Sequence, residues 1–533
     1  MSGRVTTAGL GTSTKLIGLT KHTKHGHVPS PVSPHFVAPP AQPVLSFNSI
    51  ALAAAIARTS TTWDDAPVVL LDGLQKSALI ELETLLQDGS AFALESHFKF
   101  LADTAGSQFA AKVGAGIAHL YMDALGYAWR ANAACLSSSL DPHADFIYEG
   151  GNASGHGVVL AEAHGSLAKD ASAAKIANAA KRKYVKQVKP FVAKPSPFGE
   201  VHGYSIAFGA KPTVAGSFLA VSETRISKPR KRAPPPGTMQ RGAVPESTPA
   251  PMALATHRSN FLLMGAPGVT NWIDWIRLPD SRAPERHDVP FLRFGYAGRT
   301  YLAVPPWLLR PGGPPWWIDD SFDHPEWWRL AGRARLSPSR HPGFDFGWFA
   351  IEEKAGSEFL NVLSNTIRSR AAGLPATMRL PTFEPTGFSL SAEDSIARAD
   401  VDEPYQYALF RDGLALLGEP FRGRPRDVVV WSPDEGMALG SCGSGRVAQR
   451  MARQREGNSW DFELRWERLK RRRSQNGGLP LADRQNRTDS FRPGADGNAA
   501  SYRQFKQSLP CLKPDVVVRA NQGQPRALTP GIY

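Results

Sequence analysis

The sequence predicts an α/β protein: a mixed sheet flanked by helices, followed by a second α+β region, with disordered stretches at both ends. Three observations predict it. Two amphipathic helical patterns bracket a pair of short apolar runs of strand length. Two further strand-length runs follow. A Pro-rich, basic stretch then separates this block from a second one that mixes strand and helix patterns.

The chain has 533 residues, enough for two or three domains. Hydrophobic residues make up 42%, so sizeable cores can be buried, while 44 Pro and 48 Gly point to long irregular stretches. Cys135, Cys442 and Cys511 lie far apart and form neither a disulfide framework nor a metal-binding CxxC spacing. A reducing, cytoplasmic compartment is therefore expected. The N-terminal stretch has no apolar run leading to a cleavage site, and the longest apolar run, near Ile50 to Ala57, is too short to span a bilayer. No membrane partner is expected.

Residues 1–45 are rich in Ser, Thr, Pro, His and Gly without periodicity and read as disordered. Residues 46–226 form the first folded region, 227–255 a Pro/basic linker, 256–440 a second α+β domain and 441–533 a basic, largely disordered tail. Within the first region, Leu79 to Leu86 reads as helical. From Gln108 to Leu125, Phe109, Val113, Ile117, Leu120, Tyr121 and Ala124 recur at helical spacing, and Gly126 suits the residue just past the end. Ala144–Tyr148 and Gly157–Glu162 read as two strands joined by a Gly-rich loop. A helix over about Ala171 to Phe191 follows, then strands at Tyr204–Phe208 and Phe218–Val221.

Asp145 opens the first hairpin strand and Glu162 closes the second. Antiparallel pairing brings those two ends together. Two adjacent carboxylates suit Mg²⁺ or Mn²⁺, hard cations that take oxygen ligands and keep several waters. Such an ion polarises a phosphodiester and acidifies a bound water.

Pro142-His143-Ala144-Asp145, followed by Glu162-Ala163-His164, resembles the PD-(D/E)XK phosphodiesterase superfamily. The resemblance covers roughly a fifth to a quarter of the chain, about residues 106–225. It implies an α-β-β-β-α-β core, an Asp and a Glu that bind the metal, and a Lys two residues after the Glu that assists the attacking water. It further implies a nucleic-acid substrate, with DNA ahead of RNA, in restriction, repair or defence. The sequence departs from the pattern at His164, which stands in the place of that Lys. An unperturbed imidazole is mostly neutral at pH 7, so His164 suits a ligand or a base rather than a fixed cation. Some members of the superfamily carry the Lys on the following helix instead. There, Lys183 lies at the edge of the apolar face and Gln187 within it, while Arg182 and Lys186 point away. Lys183 is the candidate displaced cation and Gln187 a polar group over the site. The plainer alternative makes Lys183 a surface lysine lying along apolar groups.

The second region offers rival signals. Asp345, Glu352 and Lys354 form an intact acid-x-Lys pattern, but the spacing from Asp345 to Glu352 is short for two hairpin strands. The plainer reading is a strand entering a helix whose first turn carries acids. Trp316, Trp317, Trp327 and Trp328 read as core or as a stacking platform. Arg411-Asp412-Gly413 is a hairpin turn between strands at Tyr407–Phe410 and Leu416-Leu417.

The formal net charge is +14, and residues 441–533 carry 18 Lys+Arg against 8 Asp+Glu. This tail reads either as a polyanion attractant or as a solubilising segment. The chain thus reads as a metal-dependent nucleic-acid phosphodiesterase or a degenerate relative. The alternatives are a non-catalytic nucleic-acid-binding scaffold and a protein that binds a protein partner.

Overall fold

The computed structural model describes residues 14–27, 41, 43–60, 81–82, 84–87, 89–133, 143–149, 158–192, 200–212, 216–226, 248–277, 282–304, 348–370, 373–390, 407–417 and 425–440. The tail from 441 on, the Trp316–Trp328 cluster and Asp345 lie outside them.

The chain begins with β1 (Lys15–His27), β2 (Val44–Phe47) and helix α1 (Ser49–Ser60). Helix α2 (Asp103–Ala124) carries the apolar face expected from its spacing. Phe109, Val113, Ile117 and Leu120 are buried, and Gly126 takes φ 108° just beyond its end. Strands β3 (Trp129–Asn132), β4 (Phe146–Glu149) and β5 (Val158–Ser166) follow. Helix α3 begins at Ala173–Lys183, passes through a π-turn at Tyr184–Val188 and ends at Lys189–Val192. Pro190 accounts for the π-turn. It has no N–H for the turn before it and its ring crowds the carbonyl four residues back, so the helix widens and the Lys189 N–H reaches the Tyr184 carbonyl. Strands β6 (Glu200–Ala210) and β7 (Ser217–Ile226) complete the first region.

Eight strands form one mixed sheet, in the order β13-β2-β1-β7-β6-β5-β4-β3, where β13 is Phe388–Ser389. The pairs β5–β6 and β1–β7 are parallel; β3–β4, β4–β5, β6–β7, β1–β2 and β2–β13 are antiparallel. A parallel pair needs a crossover, and α3 supplies it between β5 and β6. Helix α2 lies against one face of the sheet at contact distance. A Cβ on Gly165 would meet the Ala110 carbonyl oxygen at 1.7 Å, so no side chain fits there. Helix α3 covers the other face, where Tyr184, Val188 and Val192 pack with Leu160.

The remaining elements are β8 (Thr248–Pro249), α4 (Ala250–Met264), α5 (Pro267–Arg277), β9 (Val289–Tyr296), β10 (Arg299–Ala303), β11 (Trp348–Glu352), α6 (Glu353–Arg368), β12 (Thr377–Met378), β14 (Tyr407–Leu409), β15 (Leu414–Leu417), β16 (Pro425–Ser432) and β17 (Gly436–Gly440). They build a seven-stranded sheet, β14-β15-β11-β10-β9-β16-β17, and the two-stranded ribbon β12-β8.

Two expectations are corrected. Residues 15–27, read as disordered, form β1, because the strand is held by pairing with β7 some two hundred residues on rather than by its own composition. The two folded regions are not separate bodies either. The described residues up to Leu439 fall in one compact unit. Strand β13 from the second region closes the first sheet against β2, and α4, which starts inside the expected linker, packs on β3. Buried Arg58 of α1 pairs with buried Asp412 of the β14–β15 turn, which also accepts from Asn260 Nδ2 at 2.8 Å. That turn therefore pins the two regions together.

Candidate functional site

The β4–β5 register places Phe146 opposite Ala161, so the next pair outward is Asp145 and Glu162. The pair forms at the end of the sheet where β4 begins and β5 runs on. Asp145, half-buried, accepts the Ala163 N–H at Oδ2 (2.9 Å), which ties its carboxyl to β5. Glu162 is 1% exposed and points to the α3 face. The two carboxyls are close enough to share a hydrogen bond once one is protonated.

Lys183 reaches this pair from α3. Its Nζ lies 2.8 Å from Glu162 Oε1, with the lysine side chain one-third exposed at the rim. Burial, and then the Asp145 charge, push the Glu162 carboxyl up to about 8; the bond and charge of Lys183 pull the other way without offsetting them. Glu162 Oε2 is buried with no hydrogen-bond partner.

His164 follows Glu162 by two residues and so shares its face of β5. It is half-buried. Burial, with the charges of Lys183 and Arg182, holds its pKa below the ordinary histidine value against the pull of Asp145. His164 is thus neutral at pH 7 and brings no charge to the site. Gln187, inside the π-turn, donates from Nε2 to the His143 carbonyl at 2.9 Å. It anchors the strand two residues before Asp145 and does not bond the carboxylates. Of the five sequence candidates, Asp145, Glu162 and Lys183 form one cluster, His164 flanks it and Gln187 braces it.

The cluster can hold a hard divalent cation. It offers two carboxylates, and one of their oxygens, Glu162 Oε2, is buried without a hydrogen-bond partner, a donor set that fits Mg²⁺ or Mn²⁺ with waters completing the shell. Among the described residues no group of three or more His, Cys, Asp or Glu gathers around a metal position, so they build no closed zinc-type site.

The rival pattern has a structural explanation. Glu352 caps α6, accepting the Lys354 and Ala355 N–H groups at 2.7 and 3.1 Å, and Glu353 pairs with Arg293 at 2.6 Å. A surface depression of about 560 Å³ lies beside these residues, on the second sheet and not at the Asp145–Glu162 pair.

Two polar clusters were not anticipated. On the α2 face of the first sheet, Glu223 of β7 is held between His22 Nε2 (2.5 Å) and His202 Nε2 (3.4 Å). These bonds and the neighbouring charges outweigh burial and lower its carboxyl to about 2. Beside the Arg58–Asp412 pair, burial and the Asp412 charge raise Asp123 to about 7, against Arg58 and Arg411. Both clusters join strands or helices distant in sequence, so no local spacing marks them. No family model, curated protein or solved structure matches the chain.

Proposed function

We propose that the chain is a metal-dependent nucleic-acid phosphodiesterase, or a degenerate relative of one, on the PD-(D/E)XK plan. One observation carries the reading: Asp145 and Glu162 sit opposite each other on paired antiparallel strands, with Lys183 bonded to Glu162 from the next helix. The order α2-β3-β4-β5-α3-β6, with β5 and β6 parallel, supports it, because that order matches the core which the motif implies.

Asp145 and Glu162 hold Mg²⁺ or Mn²⁺, which when bound supplies the polarisation of a phosphodiester and an acidified water. Lys183 places a cation beside the reacting phosphate, the part that His164 cannot take while neutral. Neutral His164 is left to accept a proton at its free nitrogen. Gln187 keeps the Asp145 strand in position through the His143 carbonyl.

The test is cleavage of DNA and RNA by the full chain with Mg²⁺ or Mn²⁺, against Asp145→Ala and Glu162→Ala. Cleavage by the native chain that both substitutions abolish is the expected result. Undiminished cleavage in both variants would remove the site assignment. The second reading, a scaffold that binds nucleic acid without cutting it, is favoured by one feature: Lys183 Nζ already occupies Glu162 Oε1, at 2.8 Å. It predicts salt-sensitive binding with no cleavage under any metal.

A further inference from the structure

Helix α3 and strand β1 together carry nine Lys and Arg residues and no Asp or Glu. Three of the nine are committed elsewhere: Lys15 is buried on the Gln87 and Gly89 carbonyls, Lys175 pairs with Asp170, and Lys183 holds Glu162. The other six, Lys21, Lys24, Lys181, Arg182, Lys186 and Lys189, are exposed. A solvated helix of this length ordinarily mixes both signs, and like charges four apart destabilise it, so a single-signed face works against folding.

The two elements form one surface. The His25 ring of β1 stacks on Tyr184 of α3 at 4.3 Å and 14°. Alternation along β1 places Lys21 on that same face. Burial and then Lys181 and Lys189 lower the His25 pKa, so both ammonium groups lie near the imidazole. At the other side of the helix, Lys183, next in sequence to the exposed Arg182, reaches Glu162 at 2.8 Å. Positive side chains thus extend from Lys21 of β1 along α3 to the carboxylate pair, while Lys24, by the same alternation, lies on the opposite face of β1.

We infer that the exposed α3–β1 face binds the phosphate backbone of a nucleic acid and leads it to Asp145 and Glu162. Lys181, Lys186 and Lys189 contact phosphates along the helix. Lys21 extends the contact onto β1, and Arg182 lies where the path reaches the site. The inference rests on the reading of that site as a phosphodiesterase, but the surface acts without a metal. It is distinct from the basic tail and from the basic run at residues 228–232.

The experiment is fluorescence anisotropy of labelled DNA and RNA oligonucleotides with the full chain, in EDTA, over a range of salt. The triple variant Lys181→Glu/Lys186→Glu/Lys189→Glu is compared with the native chain, with a Gln triple as a milder second variant and circular dichroism as the folding check. Losing three phosphate contacts lowers the slope of log K against log salt by about 2–3 and weakens binding by roughly 10- to 100-fold at moderate salt. The Gln triple is expected to fall between. Native-like affinity and slope in both triples overturn the inference. Loss of binding only when Arg471, Arg472 and Arg473 are reversed to Glu overturns it in favour of the tail. Tighter binding to phosphatidylserine vesicles than to any oligonucleotide overturns it in favour of a membrane surface. A native chain that binds no polynucleotide overturns the inference and the phosphodiesterase reading together. Cleavage that depends on Asp145 and Glu162 but ignores the triples overturns the inference alone.

Discussion

Glu162→Gln should make the protein more stable at high pH and leave it nearly unchanged at low pH. The Glu162 carboxyl is 1% exposed and titrates near 8, against 4.5 for an ordinary glutamate, through burial first and the Asp145 charge second. The folded pKa lies above the unfolded one. The stabilising contribution is therefore complete below pH 4.5 and is lost as pH rises through about 8. Between those limits the native protein holds a proton that the unfolded chain has released. Each pH unit across that window is worth about 1.4 kcal/mol, so ionised Glu162 costs the fold about 4–5 kcal/mol by pH 8.5. Glutamine has the same shape, never ionises and can still accept from Lys183 Nζ.

Denaturant unfolding at pH 5 and pH 8.5 reads this directly. The variant should match the native chain within about 1 kcal/mol at pH 5 and exceed it by about 4 kcal/mol at pH 8.5. Mn²⁺ at pH 8.5 should raise the melting temperature of the native chain and not of the variant, because bound metal removes the cost of ionisation. A difference that does not change with pH, or a variant less stable at pH 8.5, would refute the reasoning. Glu162 and Lys183 would then be an ordinary ion pair.

Two further substitutions test the frame around the site. Gly165→Ala puts a methyl group 1.7 Å from the Ala110 carbonyl oxygen, a backbone atom that cannot step aside. It should cost about 3 kcal/mol or more in denaturant unfolding, and native stability would mean that α2 does not lie on β5. Glu223→Gln should destabilise the protein by about 3 kcal/mol at pH 7 and by little near pH 2. Glu223 is lowered to about 2, so its contribution is present above 4.5 and is lost as pH falls toward 2. Equal stability of the two proteins at pH 7 would remove the His22–Glu223–His202 bridge.

The parts of the fold that local spacing determines were legible in the sequence. The apolar stripe of α2 needs only its own residues. The Asp145–Glu162 pairing needs only a short hairpin, whose antiparallel register brings its outer ends together. Lys183 came into view through the resemblance, which allows the cation on the following helix, with helical spacing placing it at the edge of the apolar face beside the plainer reading of a surface lysine. What stayed hidden depends on partners far away in the chain. Strand β1 is Lys-, His- and Thr-rich and passes for irregular chain until β7 pairs with it. Strand β3 is four residues long and is defined by its register with β4. The Arg411-Asp412-Gly413 turn looks exposed in sequence, yet Asp412 is fully buried because Arg58, 354 residues away, pairs with it.

On the proposed PD-(D/E)XK reading, a His at position 164 in place of the motif Lys has a physical account once α3 is in place. A cation beside two carboxylates is a requirement on a place in space, and that place can be filled from β5 or from the helix above it. Lys183 fills it from the helix. A lysine at position 164 would then share the carboxylates with Lys183 and lie near Arg182, whose charges already disfavour a protonated His164. A neutral imidazole avoids that repulsion and keeps a proton acceptor at the site. The π-turn at Tyr184–Val188 follows Lys183 and contains Gln187, so the widened turn sets the spacing by which one helix reaches Glu162 with Lys183 and braces the His143 carbonyl with Gln187. On this reading, Lys183→Arg should tolerate the site's charge but not its depth, since a planar guanidinium cannot replace a single Nζ at 2.8 Å from a buried Glu162.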